Sequence, residues 1–252
     1  MPIDRKLFSR CITANGAPDW KCPTCSAGYL RLEKDTLKHS WSAESKQASS
    51  HEAFGPEWVV SRFILLLKCD NVKCSEVVTV SGSGRVAEYP DERMEHLDYV
   101  DEFFPSYVLP SPTLINIPTR TPDKVVAELK EAFVASWGDF SAAGNHVRAA
   151  TEFVLDDLRI RRTTKTIHGK RSYLSLHSRI DGIRQKYPAV HSSLIAVKWL
   201  GNAGSHAGAL TRKSVFDALD IFESVLEELY SDHPKALKKL VATVNQRKGP
   251  TR

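Results

Sequence analysis

The sequence predicts an α+β fold in which a small β-rich segment precedes an all-α helical bundle. Two pairs of cysteines, bounded by stretches in which apolar residues alternate, indicate the β-rich segment. Apolar residues that recur every three or four positions through the C-terminal half indicate the helices. Five prolines between residues 105 and 122 separate the two patterns. We therefore divide the chain into a β domain at 1–104, a connector at 105–121 and a helical bundle at 122–252.

The composition is that of an ordinary globular protein. Of the 252 residues, 42% are hydrophobic and 26% are charged, which excludes collagen-like, mucin-like and wholly disordered classes. The longest purely apolar run, Phe63 to Leu67, is far shorter than the roughly 20 residues that a membrane helix needs. The first residues contain no apolar core of a signal peptide. We therefore expect a cytoplasmic protein without a membrane partner.

The cysteines predict a metal site. Disulfides are rare in the cytoplasm, so paired cysteines there favour metal binding. Cys22 and Cys25 form a CxxC pair, and Cys69 and Cys74 form a CxxxxC pair. Four thiolates from two short turns are the ligand set of tetrahedral Zn²⁺. Four buried cysteines without metal and a redox-active CxxC pair are the alternatives, and Cys11 is expected to be a bystander.

The residues around the cysteines predict a zinc ribbon. Alternating segments at 28–33, 59–68 and 76–80 are expected to be strands that enter and leave the two cysteine turns. The 43 residues between the cysteine pairs exceed the usual spacing in a ribbon, and we expect 40–50 to be a flexible insertion. The glycine–serine segment 81–84 is expected to be a hairpin turn.

The middle of the chain is expected to be an extended connector. From Glu88 to Glu102 there are seven acidic residues and one Arg93. The prolines that follow disfavour both helix and central strand. We therefore place a domain boundary near residue 120.

The C-terminal half predicts five or six helices with short loops. Thr121 and Pro122 begin the first, and further helices are expected at 145–160, 174–187, 189–201, from Thr211 and after Pro234. Residues 1–140 carry a net charge of −4, whereas residues 141–252 carry +9. A basic half favours an anionic partner such as RNA or DNA, although basic surfaces also serve solubility. The candidate nucleic-acid-binding residues lie in the loop 159–171 and are Arg159, Arg161, Arg162, Lys165, Lys170 and Arg171.

Two motifs in the helical half resemble those of a known family. The domain-of-unknown-function 4145 family has a GNxxxH signature, which resembles the segment from Lys198 to Gly208, KWLGNAGSHAG. Its RxxxE signature resembles the segment from Arg148 to Glu152, RAATE. This family is placed in the HEPN superfamily of all-helical domains. The resemblance spans about residues 105–230, and the cysteine-bearing segment is similar to one that many members carry.

The resemblance implies several properties. HEPN domains form homodimers through their helices, and the active ones are metal-independent endoribonucleases. Members of this family occur in bacteria, alone or fused to restriction and phage-defence enzymes. A homodimer, RNA or DNA, and a larger defence or restriction enzyme are therefore the expected partners.

Four residues are the candidates for the catalytic site that the resemblance implies. Lys198 and Asn202 lie one helical turn apart, and His206 follows at the helix end, where the helix dipole favours its protonated form. Gly201 stands where the active HEPN pattern has arginine, so either Lys198 or Arg148 would have to supply the cation. A histidine there could serve as acid or base in RNA cleavage.

Three functions remain open at this stage. The first is a non-catalytic or adaptor-like module that associates with nucleic acid in bacterial anti-phage or restriction defence. The second is a HEPN-type endoribonuclease that uses His206. The third is a structural protein that dimerises and docks a larger enzyme. We narrowly favour a structural site, in which Asn202 and His206 cap the helix beside an Arg148–Glu152 ion pair.

Overall fold

The protein has the α+β fold that the sequence predicts. The computed structural model describes residues 3–90, 96–167, 169–206 and 210–248, and the side chains of these except 202–206 and 233–239. Two compact units divide the described chain. The β unit holds residues 4–113 and 133–139, and the helical unit holds residue 3, residues 114–132 and the chain from 140 onward.

The β unit is built on a five-stranded antiparallel sheet with two short helices. Strand β3 pairs on one side with both β1 and β2, and on the other side with β4, which in turn pairs with β5. Its elements are α1 (Arg5–Ser9), β1 (Leu30–Leu32), β2 (Lys38–Trp41), α2 (Ala43–Ala48), β3 (Val60–Cys69), β4 (Val77–Pro90) and β5 (Leu97–Leu109).

One face of this sheet forms the core of the β unit. Alternate residues of β3, from Ser61 to Cys69, are buried, as expected for a strand with one covered face. Trp20 is fully buried and packs edge-on against Trp137, with ring centroids 5.0 Å apart. The predicted strands around the cysteines are thus present, within a sheet larger than the expected ribbon.

Two expectations for this region were wrong. The segment 81–84 is the middle of β4 and not a hairpin turn, because each of its residues pairs with β3. The segment 40–50 is ordered and not a flexible insertion, because it contains the end of β2 and α2. Ser42 caps α2, and the buried Ser45 hydroxyl bonds the backbone of Trp58 and Val60.

The expectation that residues 105–109 lie in a connector was also wrong. Strand β5 continues to Leu109, and Pro105 pairs with Gly82. The pairing shifts register between Ser81 and Gly82, which is opposite this proline, and β5 is the last strand of the sheet. An edge strand with a bulge tolerates proline because no ladder hydrogen bond needs its missing N–H.

The helical unit contains six helices and one small hairpin within the described residues. They are α3 (Asp123–Ala135), whose last three residues belong to the β unit, α4 (Phe140–Asp157), β6 (Thr163–Lys165), β7 (Arg171–Tyr173), α5 (Leu176–Asp181), α6 (Pro188–His206), α7 (Arg212–Tyr230) and α8 (His233–Arg247). Among these helices, none combines the length and apolar character of a membrane span.

The core of the helical unit forms where α4, α6 and α7 pack together. The apolar residues of α7 are buried within this chain: Val215, Phe216, Leu219, Phe222, Val225 and Leu226 are each at most 3% exposed. Because these apolar residues of α7 are covered by the chain itself, they do not indicate a dimer interface. Gly201 of α6 faces the carbonyl oxygen of Gly144 of α4, which a Cβ at Gly201 would approach to 3.9 Å.

Two local predictions in this unit need correction. The expected helix 174–187 is helical only at Leu176–Asp181, and turns follow it. The expected loop 159–171 contains β6 and the start of β7, paired from Thr163 with Tyr173 to Lys165 with Arg171. Arg159, with a positive φ of 60°, ends the turn after α4, and the Ile160 N–H bonds the carbonyl of Leu155.

Candidate metal centre and nucleic-acid interface

The four predicted cysteines form one cluster. The Sγ atoms of Cys22, Cys25, Cys69 and Cys74 all lie within 4.8 Å of one another. Cys22 is 3.7 Å from Cys74, and Cys25 is 3.7 Å from Cys69, so each contact joins the two pairs. Four sulfur atoms at this spacing can surround one metal ion.

Strand pairing brings the two cysteine turns together. Leu30 of β1 lies opposite Cys69 of β3, which places the turn before β1 beside the turn after β3. Gly28 provides the close approach, because a Cβ at this position would lie 2.5 Å from the Cys69 Sγ. The site therefore has room for sulfur atoms only because residue 28 has no side chain.

Backbone amides surround the sulfur atoms with partial positive charge. The N–H of Thr24 donates to the Cys22 Sγ, and the N–H of Gly28 donates to the Cys25 Sγ, both at 3.4 Å. The amides of Gly28 and Ala27 lower the pKa of Cys25 to about 6. Burial raises the pKa of Cys69 to about 12. An all-thiolate donor set with N–H···S bonds fits a tetrahedral Zn²⁺ site.

Cys11 takes no part in this cluster. It lies beside Glu102, which is 4% exposed and accepts hydrogen bonds from Tyr89 Oη at 2.5 Å and Arg85 Nε at 2.9 Å. Burial, together with the Glu102 carboxylate, raises the pKa of the Cys11 thiol. A thiol held protonated in this way is a poor metal ligand and a poor nucleophile.

The helical candidates for catalysis are only partly described. Lys198, Asn202 and His206 all lie on α6, which continues beyond the predicted end at Gly201 and ends at His206, but the side chains of Asn202 and His206 lie outside the described residues. The Lys198 Nζ lies 4.0 Å from the centroid of the Trp199 ring. Arg148 lies on α4 in a cleft that no described residue of α6 lines.

The expected ion pair between Arg148 and Glu152 is absent from the described residues. Glu152 instead lies 3.8 Å from Nη1 of Arg179 on α5. Arg148 is exposed, and within the same described ranges it has no carboxylate partner. Its guanidinium is therefore available to an external anion.

The predicted basic loop is a projecting basic hairpin. We name residues 159–173, with strands β6 and β7, the basic hairpin. Residues 158–180 contain seven arginines or lysines and no acidic residue. Five of the six candidates are exposed and have no acidic partner in the part of the chain that the structure describes: Arg159, Arg161, Lys165, Lys170 and Arg171. Two apolar side chains project with them, Ile167 fully exposed and Tyr173 85% exposed.

The sixth candidate, Arg162, anchors the base of the hairpin. Its Nε donates to the Asp156 carboxylate of α4 at 2.9 Å, and its Nη2 makes a second contact with the same group. The Arg162 guanidinium, followed by that of Arg179, holds the pKa of Asp156 below its usual value, although burial opposes the shift. The hairpin is therefore tied to α4 by a bidentate ion pair.

Arg179 was missed by the sequence analysis. Its side chain is 3% exposed, and its Nη2 donates to Asp156 at 2.6 Å and to the carbonyl of Ile160 at 3.2 Å. A signal existed: Arg179 stands between Leu176, Ile180 and Ile183, at the spacing of an inward-facing helix stripe. A charged residue on a buried stripe indicates a buried ion pair.

Comparisons with known families divide the chain in two. Residues 10–108 match the family described as Domain of unknown function (DUF8608), and residues 130–247 match Domain of unknown function (DUF4145). The second match confirms the resemblance of the helical half to that family, and the first is a similarity of the cysteine-bearing half to a family that its residues did not suggest. Neither the curated proteins nor the solved structures give a match.

Proposed function

We propose that this protein is a non-catalytic module that binds RNA or DNA through the basic hairpin. The observation that carries the proposal is the cluster of five exposed cations on the hairpin. Free cations on a projecting element contact phosphates without the cost of breaking existing ion pairs. The exposed Tyr173 adds a flat ring on which a base can stack.

The charge of the chain supports this location. The half that contains the basic hairpin carries +9, whereas the half that contains the cysteines carries −4. Phosphate attraction dominates nucleic-acid affinity, so the positive half is the one expected to bind.

The four cysteines have a structural role in this proposal. They hold one Zn²⁺ per chain, and the ion joins the turn before β1 to the turn after β3. A small sheet with a single covered face gains much of its folding free energy from such a clamp. Among the described residues, no acidic or histidine side chain joins the four sulfur atoms, so the ligand set is closed and leaves no position for a substrate.

The test is fluorescence anisotropy of a labelled oligonucleotide with the full chain and two triple variants. Lys165→Gln, Lys170→Gln and Arg171→Gln together should lower the affinity at least about tenfold. The matched control, Lys34→Gln, Lys38→Gln and Lys46→Gln, removes the same charge from exposed positions of the β unit and should leave the affinity within about twofold. Equal losses in both variants would show that only net charge matters and would contradict the proposal.

The other expectations extend this proposal. Homodimerisation is tested by light scattering, since a mass near the 28.2 kDa of one chain at micromolar concentration would exclude it. A role as an adaptor in bacterial defence requires a larger enzyme as partner, and the HEPN assignment rests on the family resemblance. Retained ribonuclease chemistry is the alternative that the His206 variant below addresses.

A further inference from the structure

We infer that a cleft along one face of α4, here called the α4 cleft, is a phosphate site that makes the protein prefer single-stranded over duplex nucleic acid. The inference rests on the proposed function and names its substrate class. The α4 cleft has a volume of about 260 Å³ and is lined by Asn145, Arg148, Ala149, Glu152, Phe153 and Arg162.

The α4 cleft follows directly from the sequence. Its five α4 residues lie at i, i+3, i+4, i+7 and i+8, which is one face of a helix. The sixth, Arg162, is the residue before β6. Arg162 therefore belongs both to the base of the basic hairpin and to the α4 cleft, and a nucleic-acid strand bound to the hairpin can continue into the cleft.

The polar groups of the α4 cleft suit a phosphate group. The guanidinium of Arg148 and the amide of Asn145 are exposed hydrogen-bond donors, and neither has a partner among the described residues. A guanidinium binds phosphate oxygens through two parallel N–H groups. The one carboxylate in the cleft, Glu152, has the cation of Arg179 at 3.8 Å, which offsets its repulsion of an anion.

Phe153 supplies an apolar wall to the same cleft. The Arg162 guanidinium carbon lies 5.9 Å from the centroid of its ring. A second cleft that shares Phe153 is lined by Lys124 and by three aspartates, Asp123, Asp156 and Asp157, and its net negative charge repels phosphate. The anion is therefore directed to the side of Arg148.

The combination of a phosphate site and two aromatic rings favours an unpaired strand. Bases stack on exposed aromatic rings only when they are not already paired within a duplex. Tyr173 on the hairpin is 85% exposed, and the half-buried Phe153, whose ring also faces Lys124 and Arg162, lines the α4 cleft together with Arg148. A duplex can use the cations of the hairpin but not these rings.

The experiment compares a mixed-sequence oligonucleotide, as a single strand and as its duplex, with the full chain and two exposed single variants. Arg148→Gln should weaken single-strand binding about tenfold and lower the salt slope of log affinity by about 0.7, the value of one phosphate contact. Duplex binding should change by less than about twofold. Lys130→Gln on α3 is the matched control, because Lys130 is exposed and does not line the α4 cleft.

The outcomes separate the two proposals. A single-strand preference that Arg148→Gln removes and Lys130→Gln preserves supports the inference. If both variants behave alike while the triple hairpin variant still loses affinity, the α4 cleft inference is overturned and the proposed function stands. If the wild-type chain binds neither nucleic acid, both are overturned. Arg148→Lys should retain the salt slope but lose affinity, because lysine keeps the charge and lacks the planar fork.

Discussion

The cysteine cluster and the charged cluster around Arg179 are built in different ways. Each cysteine pair lies within one short turn, and a single strand pairing between β1 and β3 joins the two turns. The charged cluster joins Glu152, Asp156, Arg162 and Arg179, which come from a helix, the segment before a strand, and a second helix. A site whose residues lie within short turns can be recognised in the sequence by the spacing of those residues. A site that forms when separate helices pack together is indicated only by a charged residue among the apolar residues of a buried helix face.

The largest effect is expected from the cysteine cluster. Cys22→Ser removes one of four thiolates, and a structural zinc site contributes about 10 kcal/mol or more to folding. We expect the zinc content to fall from one ion per chain to near none and the β unit to lose its cooperative unfolding transition.

Metal analysis of the purified chain and thermal unfolding measure both effects. Cys11→Ser is the control, since Cys11 lies outside the cluster, and it should retain one zinc ion. Wild-type protein that contains no zinc would contradict the metal assignment.

The next effect is expected at Arg179. Methionine at this position replaces the unbranched aliphatic part of the arginine side chain. It removes the guanidinium and its hydrogen bonds to Asp156 and to the carbonyl of Ile160. We expect a loss of about 2–3 kcal/mol in the free energy of unfolding, measured in urea. Arg184→Met, at a side chain 69% exposed, should cost less than about 0.5 kcal/mol. Equal losses of unfolding free energy in the two variants would mean that the buried ion pair of Arg179 stabilises the fold no more than an exposed one.

The pH dependence of stability should report Asp156. Arg162 and Arg179 lower its pKa in the folded state, so its ionised form stabilises the fold above its unfolded pKa, which is about 3.9. This contribution is lost as pH falls through the lower, folded-state pKa. The stability difference between wild type and Asp156→Asn should be constant near neutral pH and shrink below about pH 4. A difference that stays constant down to pH 2 would rule out this linkage.

The smallest effect is expected at His206, at the end of α6. If it caps the helix, His206→Ala should cost roughly 1 kcal/mol, and neither protein should cleave RNA. If it is catalytic, the substitution should leave stability almost unchanged and abolish an RNase activity that survives EDTA. We expect the structural outcome.

Local patterns predicted local structure well. The cysteine turns, the strands beside them and the start of α7 at its Thr211 cap follow from spacing and side-chain chemistry within a few residues. The errors arose where tertiary context decided. Glycine and serine at 81–84 favour a turn, but pairing with β3 and β5 makes the segment a strand. Pro105 disfavours a strand, but an edge position with a bulge accepts it.

In our proposal, nucleic acid binds to the helical half, whereas the cysteine turns have only a structural role. Hydrogen–deuterium exchange of the full chain, with and without a single-stranded oligonucleotide, tests this division of roles most directly. Our account predicts slower exchange in residues 145–173, which include the α4 cleft and the basic hairpin, and unchanged exchange around the cysteine turns at 22–28 and 69–75. Protection at the cysteine turns, with none in residues 145–173, would contradict the account.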